Sequence, residues 1–506
     1  MKSKECLRPI MLVGTASDVG KSVITTGLCR IFRQDGYHPA PFKAQNMSLN
    51  SYATPEGLEI GRAQAVQAEA CGIACHTDMN PLLLKPVSDK SSQVVLHGKP
   101  AGHFSAAQYF LSDGREALFT EIKKAYHRLA GQYSPIVLEG AGSISELNLK
   151  HRDVTNMRMA REAGAAAYLI ADIDRGGVFA SCYGTIALLD PEEKKHIKGI
   201  IINKFRGDPQ LFTEGRKILE ELCQVPVIGI LPFFRDIVIE EEDSVALAGK
   251  RRRSVQGKVN IAVILVDRLS NYTDFSRLEQ DARINLFYTR EPDEILRADI
   301  VILPGSKNTL EDLQRLHDKG VAAAIHQAYA NQKTVIGICG GYQMMGHWVE
   351  DPLQVESGIG RVEGLGLLPV STVLQAEKTT RQAEFRFRGL AELCRGYEIH
   401  MGETSPFDPS QLTSGPLAPG PLAPSPLAYF TDGRTDGYFL SPRCWGTYLH
   451  GILDNATIID TLLAPYTDLP GEHSDYRQYK EEQYDKLAAL LRQHLAIDEI
   501  YKTLQA

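Results

Sequence analysis

The amino-acid sequence predicts an α/β protein of two domains, the first with a mostly parallel, phosphate-loop-type sheet that carries helices on both faces. At 506 residues the chain exceeds the length that one hydrophobic core usually organises. Short apolar runs alternate with helix-like segments from about 9 to 232, and a second series of the same kind begins at 260. This repeated alternation is typical of parallel sheets with crossover helices.

Apolar runs supply the predicted strands of both domains. In the first series we expect strands in IMLVG, HPAPFK, IVLEGAG, AAAYLIAD, IKGIIINKF and VPVIGILP. In the second series we expect them in NIAVILV, ADIVILPG, TVIGICGG and WGTYLHG. Because these runs are almost continuously apolar, they favour strands that are buried on both faces.

Changes in composition set the expected domain boundaries. The charged stretches EEEDS and KRRRS place a linker at 236–258, between a first domain at 1–235 and a second at 259–456, although a solvated surface loop explains them equally well. A proline-rich insertion at 409–428 is interpreted as a mobile surface loop, with a docking segment as the alternative. Helical spacing of Leu, Tyr and Ile predicts a C-terminal extension at 457–506 that packs on the second domain.

Bulk composition narrows the class of partner. The net charge of -7 gives no electrostatic reason to expect nucleic acid, so small molecules are the favoured ligands. No apolar stretch reaches the length that spans a membrane. The nine cysteines form no CxxC pair, which argues against a disulfide framework or a structural zinc site and favours a cytoplasmic location. The oligomeric state is left open.

A glycine-rich turn between the first strand and the first helix has the features of a phosphate-binding loop. Glycines allow backbone amides to face phosphates, Lys21 can reach the terminal phosphates, and the Ser22 hydroxyl can ligate magnesium. Five residues rather than the usual four separate Gly14 from Gly20, and a chance glycine turn is the alternative. The candidate ATP-binding residues of this loop are Gly14, Thr15, Asp18, Gly20, Lys21 and Ser22.

This loop resembles that of the dethiobiotin synthetase-like ligases, which activate carboxylates with ATP. The resemblance implies that Glu139, at the end of a later strand, holds magnesium together with Ser22. It also implies that Asn203 of IIINKF binds the adenine edge. The alternative for Glu139 is an exposed acid at a strand end. The alternative for Asn203 is an asparagine that stabilises an ordinary turn.

A second glycine-rich turn, TVIGICGGYQMMG, predicts a nucleophile elbow with Cys339 at its apex. The helix that follows has a positive N-terminal end, which favours a thiolate, and the Gly340 amide can stabilise an oxyanion. His450 of GTYLHG is the candidate base, and Gly305 and Ser306 of LPGSKNT are candidates for the rest of the oxyanion hole. A structural cysteine with a packed histidine is the alternative.

Together these motifs resemble a class I, triad-type glutamine amidotransferase domain. One residue departs from that pattern, because Ile452 stands where the family carries the glutamate that orients the histidine. Asp454, a backbone carbonyl or a water could orient His450 instead. The same absence occurs in the branch of the family that acts on corrinoids.

Further stretches across the chain resemble the cobyric acid synthases. They are PFKAQNMSLNSY, GRAQAVQAEACG, MNPLLLKP, DIDRGGVFAS and GYEIHMGET. The resemblance implies amidation of four peripheral carboxylates of adenosylcobyrinic acid a,c-diamide, with ATP, Mg²⁺ and glutamine. Each carboxylate would pass through an acyl phosphate that ammonia attacks.

Polar residues after the early strands are candidate contacts for the substrate's acidic rim or the transferred phosphate: Lys43, Gln45, Asn46 and Lys85. Surface charge and loop structure explain them equally well. Asp172 and Asp174 of DIDRGG could assist magnesium or orient Arg175.

Two other functions fit parts of the sequence. A cobyrinic acid a,c-diamide synthase shares both domain types but amidates different carboxylates. A partition-type ATPase switch with a decayed amidotransferase domain would hydrolyse ATP without ligation. The intact Cys339, His450 and elbow glycines argue against decay.

Overall fold

The computed structural model describes residues 6–87, 91–105, 114–240, 250–407, 425–471 and 475–505. Most of the predicted proline-rich insertion at 409–428 and the middle of the predicted linker at 236–258 therefore lie outside the described residues. No helix in the described ranges is both long and apolar enough to cross a membrane.

A parallel sheet forms the centre of the first domain, in the strand order β12-β11-β10-β1-β9-β2. Its strands are β1 (Ile10–Gly14), β2 (Ala40–Phe42), β9 (Ile136–Glu139), β10 (Ala166–Asp172), β11 (Ile197–Phe205) and β12 (Val227–Pro232). Met11 and Val13 pack on one face of β1, and Ile10 and Leu12 pack on the other. The predicted burial on both faces is thus confirmed.

Helices cover this sheet on both sides. They are α1 (Lys21–Gln34), α2 (Arg62–Cys71), α3 (Gly114–Ala130), α4 (Met157–Glu162), α5 (Val178–Ala187), α6 (Pro191–Lys194) and α7 (Thr213–Cys223). Between β2 and α3 the chain adds two small sheets that the sequence analysis does not predict. They contain β3 (Gln45–Met47), β4 (Ser51–Ala53), β5 (Glu59–Gly61), β6 (Leu82–Pro86), β7 (Ser91–Leu96) and β8 (Lys99–Ser105).

The second domain is built on a mainly parallel sheet in the order β14-β13-β15-β16-β24-β23, of which only β23 is antiparallel to its neighbour among the described strands. The strands are β13 (Val259–Ile264), β14 (Ile284–Thr289), β15 (Ile300–Leu303), β16 (Thr334–Ile338), β23 (Tyr438–Ser441) and β24 (Cys444–Thr447). Its helices are α8 (Ser276–Gln280), α9 (Pro292–Arg297), α10 (Thr309–Asp318), α11 (Val321–Ala330), α12 (Gly340–Met344) and α13 (Ala456–Leu463).

A second, largely antiparallel sheet packs beside these elements. It contains β17 (Trp348–Glu350), β18 (Arg361–Glu363), β19 (Val370–Phe387), β20 (Cys394–Pro406), β21 (Ala428–Phe430), β22 (Thr435–Asp436) and β25 (Leu449–His450). Because β24 and β25 follow each other directly, the chain passes from one sheet to the other just before His450.

The C-terminal helices α14 (Tyr476–His494) and α15 (Ile497–Gln505) correct one expectation. They do not pack chiefly on the second domain but on the first. Leu487 and Leu491 of α14 lie against Gly27 of α1, and Arg30 of α1 forms an ion pair with Asp485 at 2.7 Å. Their apolar residues join Ile10 and Leu12 in one core, so they complete the helical layer on that face of the first sheet.

Candidate active site

A tight turn at 15–20 connects β1 to α1 at the edge of an open cleft. Gly20 caps α1 with φ of 99°, and a Cβ there would lie 2.1 Å from Asn203 Nδ2. Glycine is the residue that tolerates both this angle and this approach. The turn therefore presents the N-terminus of α1 to the cleft, where backbone amides attract an anionic group.

Asn203 supports the turn from behind. Its Nδ2 donates to Val19 O at 2.8 Å, and its Oδ1 accepts from Lys204 N at 2.9 Å. It is not one of the described residues that line the cleft. The predicted contact with adenine thus stays a prediction, and the observed role of Asn203 is to hold the loop.

Lys21, Ser22 and Glu139 meet at the centre of the cleft. Lys21 Nζ donates to the carbonyls of Ala16 at 3.1 Å and Gly142 at 3.0 Å. Ser22 Oγ donates to Glu139 Oε1 at 2.7 Å. The strand end and the loop that the sequence associates with phosphate and magnesium are therefore adjacent.

Glu139 is a fully buried carboxylate with several donors. Lys43 Nζ donates to Oε1 at 2.9 Å, and Gln67 Nε2 donates to Oε2 at 2.6 Å. Burial alone raises the pKa of Glu139, but the charge of Lys43 and the hydrogen bonds outweigh it, so the pKa is lowered. The group is therefore an anion at neutral pH.

The cleft has a volume of about 1480 Å³ and lies over the carboxyl ends of the first sheet. Lys43, Gln45 and Asn46 line it, as do Asp18 and Arg175, whose side chains form an ion pair at 3.4 Å. Its basic lining residues are Lys21, Lys43, Arg115, Lys150, Arg152, Arg158, Arg161, Arg175 and Lys204.

In the second domain, Cys339 occupies the turn between β16 and α12. Its backbone has φ of 52° and ψ of -111°, a strained conformation for a residue with a side chain. A Cβ at Gly341 would lie 2.0 Å from Leu303 O, so the elbow helix sits directly on β15. The predicted elbow geometry is present, with the thiol at its apex.

His450 lies within reach of Cys339 and is bonded to an aspartate that the sequence analysis does not identify. Asp274 Oδ2 lies 2.7 Å from His450 Nδ1, and its Oδ1 accepts from Gly451 N at 2.9 Å. Burial lowers the pKa of His450, but the charge of Asp274 and that of a Cys339 thiolate outweigh it and raise the pKa to about 10. Cys339, His450 and Asp274 thus form a triad.

Asp454, one of the sequence's candidates for orienting His450, does not bond it. Its backbone N donates to Gly451 O at 3.0 Å, and burial raises the pKa of its carboxyl to about 7. The orienting acid instead lies on a 3-10 turn, Tyr272–Phe275, which follows β13. The position of Asp274 after the first strand of this domain could have identified it as a candidate. Its separation in sequence from His450 gave no indication that the two side chains meet.

The loop at 305–308 borders the triad from the other side. A Cβ at Gly305 would lie 3.4 Å from His450 Cε1, and a Cβ at Gly340 would lie 2.8 Å from Ser306 N. Ser306 Oγ donates to Asp312 Oδ2 at 2.6 Å, which fixes the loop. The three residues predicted for the oxyanion hole are therefore brought together around the thiol.

Both domains line the cavity next to Cys339, called here the shared cavity. Lys85 and Ser51 come from the first domain, while the remaining residues come from the second. The second-domain residues are Ser270, Asn271, Ser306, Lys307, Thr309, Cys339, Gln343, Glu356, Lys378, Ile399, His400, Met401 and His450. Lys85 Nζ lies 2.7 Å from Glu59 Oε1, and Glu59 is also paired with Lys378.

The first domain also holds the turn that carries Asp274. Ser51 N donates to Asn271 Oδ1 at 3.1 Å, and Tyr272 N donates to Asn50 Oδ1 at 3.0 Å. The position of the triad's acid therefore depends on residues from the first domain.

Comparison with known proteins agrees with this arrangement. Residues 10–246 match the family model of the CobQ/CobB/MinD/ParA nucleotide binding domain, and residues 260–458 match that of the CobB/CobQ-like glutamine amidotransferase domain. A cobyric acid synthase of Bacteroides fragilis is 60% identical over 98% of both chains. The chain belongs to the cobyric acid synthase family.

Two other cobyric acid synthases extend the range of the likeness. That of Parabacteroides distasonis is 59% identical over 99% of this chain and 100% of its own length. That of Klebsiella pneumoniae strain 342 is 46% identical over 98% of both chains. The similarity to cobyric acid synthases therefore spans both domains.

In this member of the cobyric acid synthase family, the predicted site residues fall into two groups. The nucleotide cleft gathers the phosphate loop with Glu139, Lys43, Gln45 and Asn46. Lys85 lies apart from them, in the shared cavity. Asp172 is paired with Lys204 at 2.9 Å, and Asp174 is paired with Arg206 on the surface.

The nucleotide cleft of the cobyric acid synthase fold suits a magnesium ion bound with phosphates. Magnesium prefers hard oxygen ligands and usually keeps only one or two from the protein. The Ser22 hydroxyl and the ionised Glu139 carboxylate provide such a pair. Water and phosphate oxygens would complete the coordination.

Proposed function

We propose that this chain uses ATP and glutamine to amidate four peripheral carboxylates of adenosylcobyrinic acid a,c-diamide, giving adenosylcobyric acid in cobalamin biosynthesis. The observation that carries the proposal is the Cys339, His450 and Asp274 triad in a cavity that the nucleotide-binding domain helps to enclose. The name shared by the relatives supports a corrinoid acid as the substrate.

Ammonia would come from glutamine at the triad. The Cys339 thiolate attacks the carboxamide carbon, and backbone amides of the 305–306 loop and Gly340 stabilise the tetrahedral oxyanion. The protonated His450 gives its proton to the departing nitrogen, so that ammonia leaves and a thioester remains. Water then hydrolyses the thioester to glutamate, and Asp274 keeps the imidazole in the required orientation.

Carboxylate activation would occur in the nucleotide cleft. A substrate carboxylate oxygen attacks the γ-phosphorus of ATP, which releases ADP and leaves an acyl phosphate. Ammonia then displaces inorganic phosphate to form the amide. Lys21 and Lys43 would neutralise phosphate charge, and Ser22 with Glu139 would hold a magnesium ion that withdraws further charge from the phosphates.

The replacement Cys339→Ala tests whether glutamine hydrolysis and ligation occur at separate sites. We expect it to abolish glutaminase activity, and we expect ligation to persist when ammonium chloride replaces glutamine. Added amides on the a,c-diamide are counted by mass spectrometry in the presence of ATP and magnesium. A wild-type protein without glutaminase would instead favour an ATPase switch, and amidation of cobyrinic acid at two carboxylates would favour an a,c-diamide synthase.

A further inference from the structure

A buried lysine lies next to the proposed nucleophile. Lys307 belongs to the loop that borders the oxyanion hole, is 6% exposed and lines the shared cavity. Among the described residues, no side chain forms a hydrogen bond or ion pair with its ammonium group. Burial lowers the pKa of this group. A buried cation without a counter-ion costs free energy unless a ligand supplies the opposite charge.

Glu356 supplies the opposite charge in the same cavity without touching Lys307. Its Oε2 accepts from Thr309 N at 2.9 Å, which anchors one oxygen near the start of α10. Burial raises the pKa of Glu356, whereas the positive charge of Lys307 lowers it. Each charge therefore shifts the pKa of the other group, yet the two side chains form no ion pair in the described structure.

Most other charged groups around this cavity have a carboxylate partner, and His400 Nε2 lies 3.7 Å from Glu398 Oε1. Lys85 and Lys378 both pair with Glu59, and His450 pairs with Asp274. Among the described lining residues, the Lys307 ammonium and the Glu356 carboxylate are thus the acid and base groups beside the thiol that form no ion pair. A ligand with a carboxylate and an ammonium group on one end matches this arrangement.

We propose that Lys307 binds the α-carboxylate of free glutamine and that Glu356 binds its α-ammonium group, with the side-chain carboxamide directed at Cys339. The inference rests on the proposed glutaminase function. It adds a basis for specificity, because glutamine within a peptide lacks both charges and would leave Lys307 and Glu356 without an ion-pair partner.

Substrate analogues that lack one charge separate this role from a structural one. We would measure kcat/KM with L-glutamine, with 4-aminobutanamide, which lacks the carboxylate, and with glutaramate, which lacks the ammonium group. Lys307→Met should lower kcat/KM for glutamine by about 30-fold or more, mainly through KM, and change it little for 4-aminobutanamide. Glu356→Gln should show the same pattern with glutaramate as the unaffected substrate.

The exposed Lys319, which directly follows α10, provides the matched control, since Lys319→Met should behave as wild type with all three substrates. An equal loss with glutamine and with the matching analogue would overturn the inference, as would a KM for glutamine that stays within twofold in Lys307→Met. Absence of glutaminase in the wild type would instead overturn the proposed function. Retained activity of each variant with its matching analogue shows that the second domain is folded.

Discussion

The protonation state of His450 depends on two neighbours, the Asp274 carboxylate and Cys339. Asp274 is 2.7 Å from the imidazole, is buried with it, and helps to raise its pKa to about 10. The imidazolium form therefore persists at neutral pH and is lost as the pH rises through that value. A protonated histidine beside a thiolate is the state that both attack and ammonia departure require.

Asp274→Asn removes this charge while keeping the shape of the side chain. We expect kcat of the glutaminase to fall by about 10²- to 10⁴-fold, because the imidazole loses its orientation and its counter-ion. The basic limb of the pH profile should also move to lower pH, since the pKa of His450 decreases. Asp454→Asn is the control, and an unchanged basic limb in Asp274→Asn would contradict the assignment.

Close packing of the elbow helix against β15 makes the position of Cys339 sensitive to a single methyl group. Gly341→Ala places a Cβ against Leu303 O, where backbone leaves no room. We expect the free energy of unfolding of the second domain to fall by about 1–3 kcal/mol and glutaminase activity to be lost. Nucleotide binding by the first domain should remain.

Gly184 in α5 has open space at this position, because no atom beyond its neighbours and its own helix backbone lies within 4 Å of a Cβ built there. Gly184→Ala should raise the free energy of unfolding by about 0.5–1 kcal/mol, since alanine favours the helix. Urea unfolding of Gly341→Ala and Gly184→Ala measures the change in the free energy of unfolding for each variant. Similar destabilisation by both changes would show that the space around Gly341 is not the cause.

The sequence predicts best the elements that carry a continuous apolar run or a glycine-rich turn in their own residues. IKGIIINKF corresponds to β11 throughout its length, and the two glycine-rich turns place Lys21 and Cys339 correctly. Most strands of the added sheets at 45–105 and 348–450 lack a continuous apolar run, so the sequence does not predict these sheets. Asp274 was missed because 176 positions separate it from His450, and only folding brings them together.

At the scale of the molecule, the two domains share the proposed glutaminase site. Asn50 and Ser51 lie on the first-domain side and hold the turn of Asp274, only a few positions after Gln45 and Asn46 of the nucleotide cleft. A change at 50–51 is therefore expected to act on the triad although neither residue touches the thiol.

Asn50→Ala tests this dependence. We expect glutaminase kcat to fall by about 10- to 100-fold, because a small displacement of Asp274 disturbs the alignment of His450. Ligation with added ammonia should be retained, as the nucleotide cleft keeps its residues. If both activities fell together, Asn50 would be supporting the first domain rather than the triad.

The helical layer formed by α1 and α14 makes a prediction about stability. Leu491→Ala should lower the free energy of unfolding of the first domain by about 2–5 kcal/mol, because Leu491 is fully buried against α1. Leu211→Ala is the control, since Leu211 is 83% exposed. Equal effects of the two changes in thermal unfolding would contradict the packing described.

Because the last two helices return to the first sheet, the ATP-binding half is a composite of distant stretches of polypeptide. A protein fragment that ends near residue 258 would expose the apolar face of α1, including Ile24 and Leu28, and should aggregate. Supplying a peptide of 475–505 in trans should rescue its solubility. Dividing this protein into two functional fragments thus requires attaching the helices α14 and α15 to the N-terminal fragment.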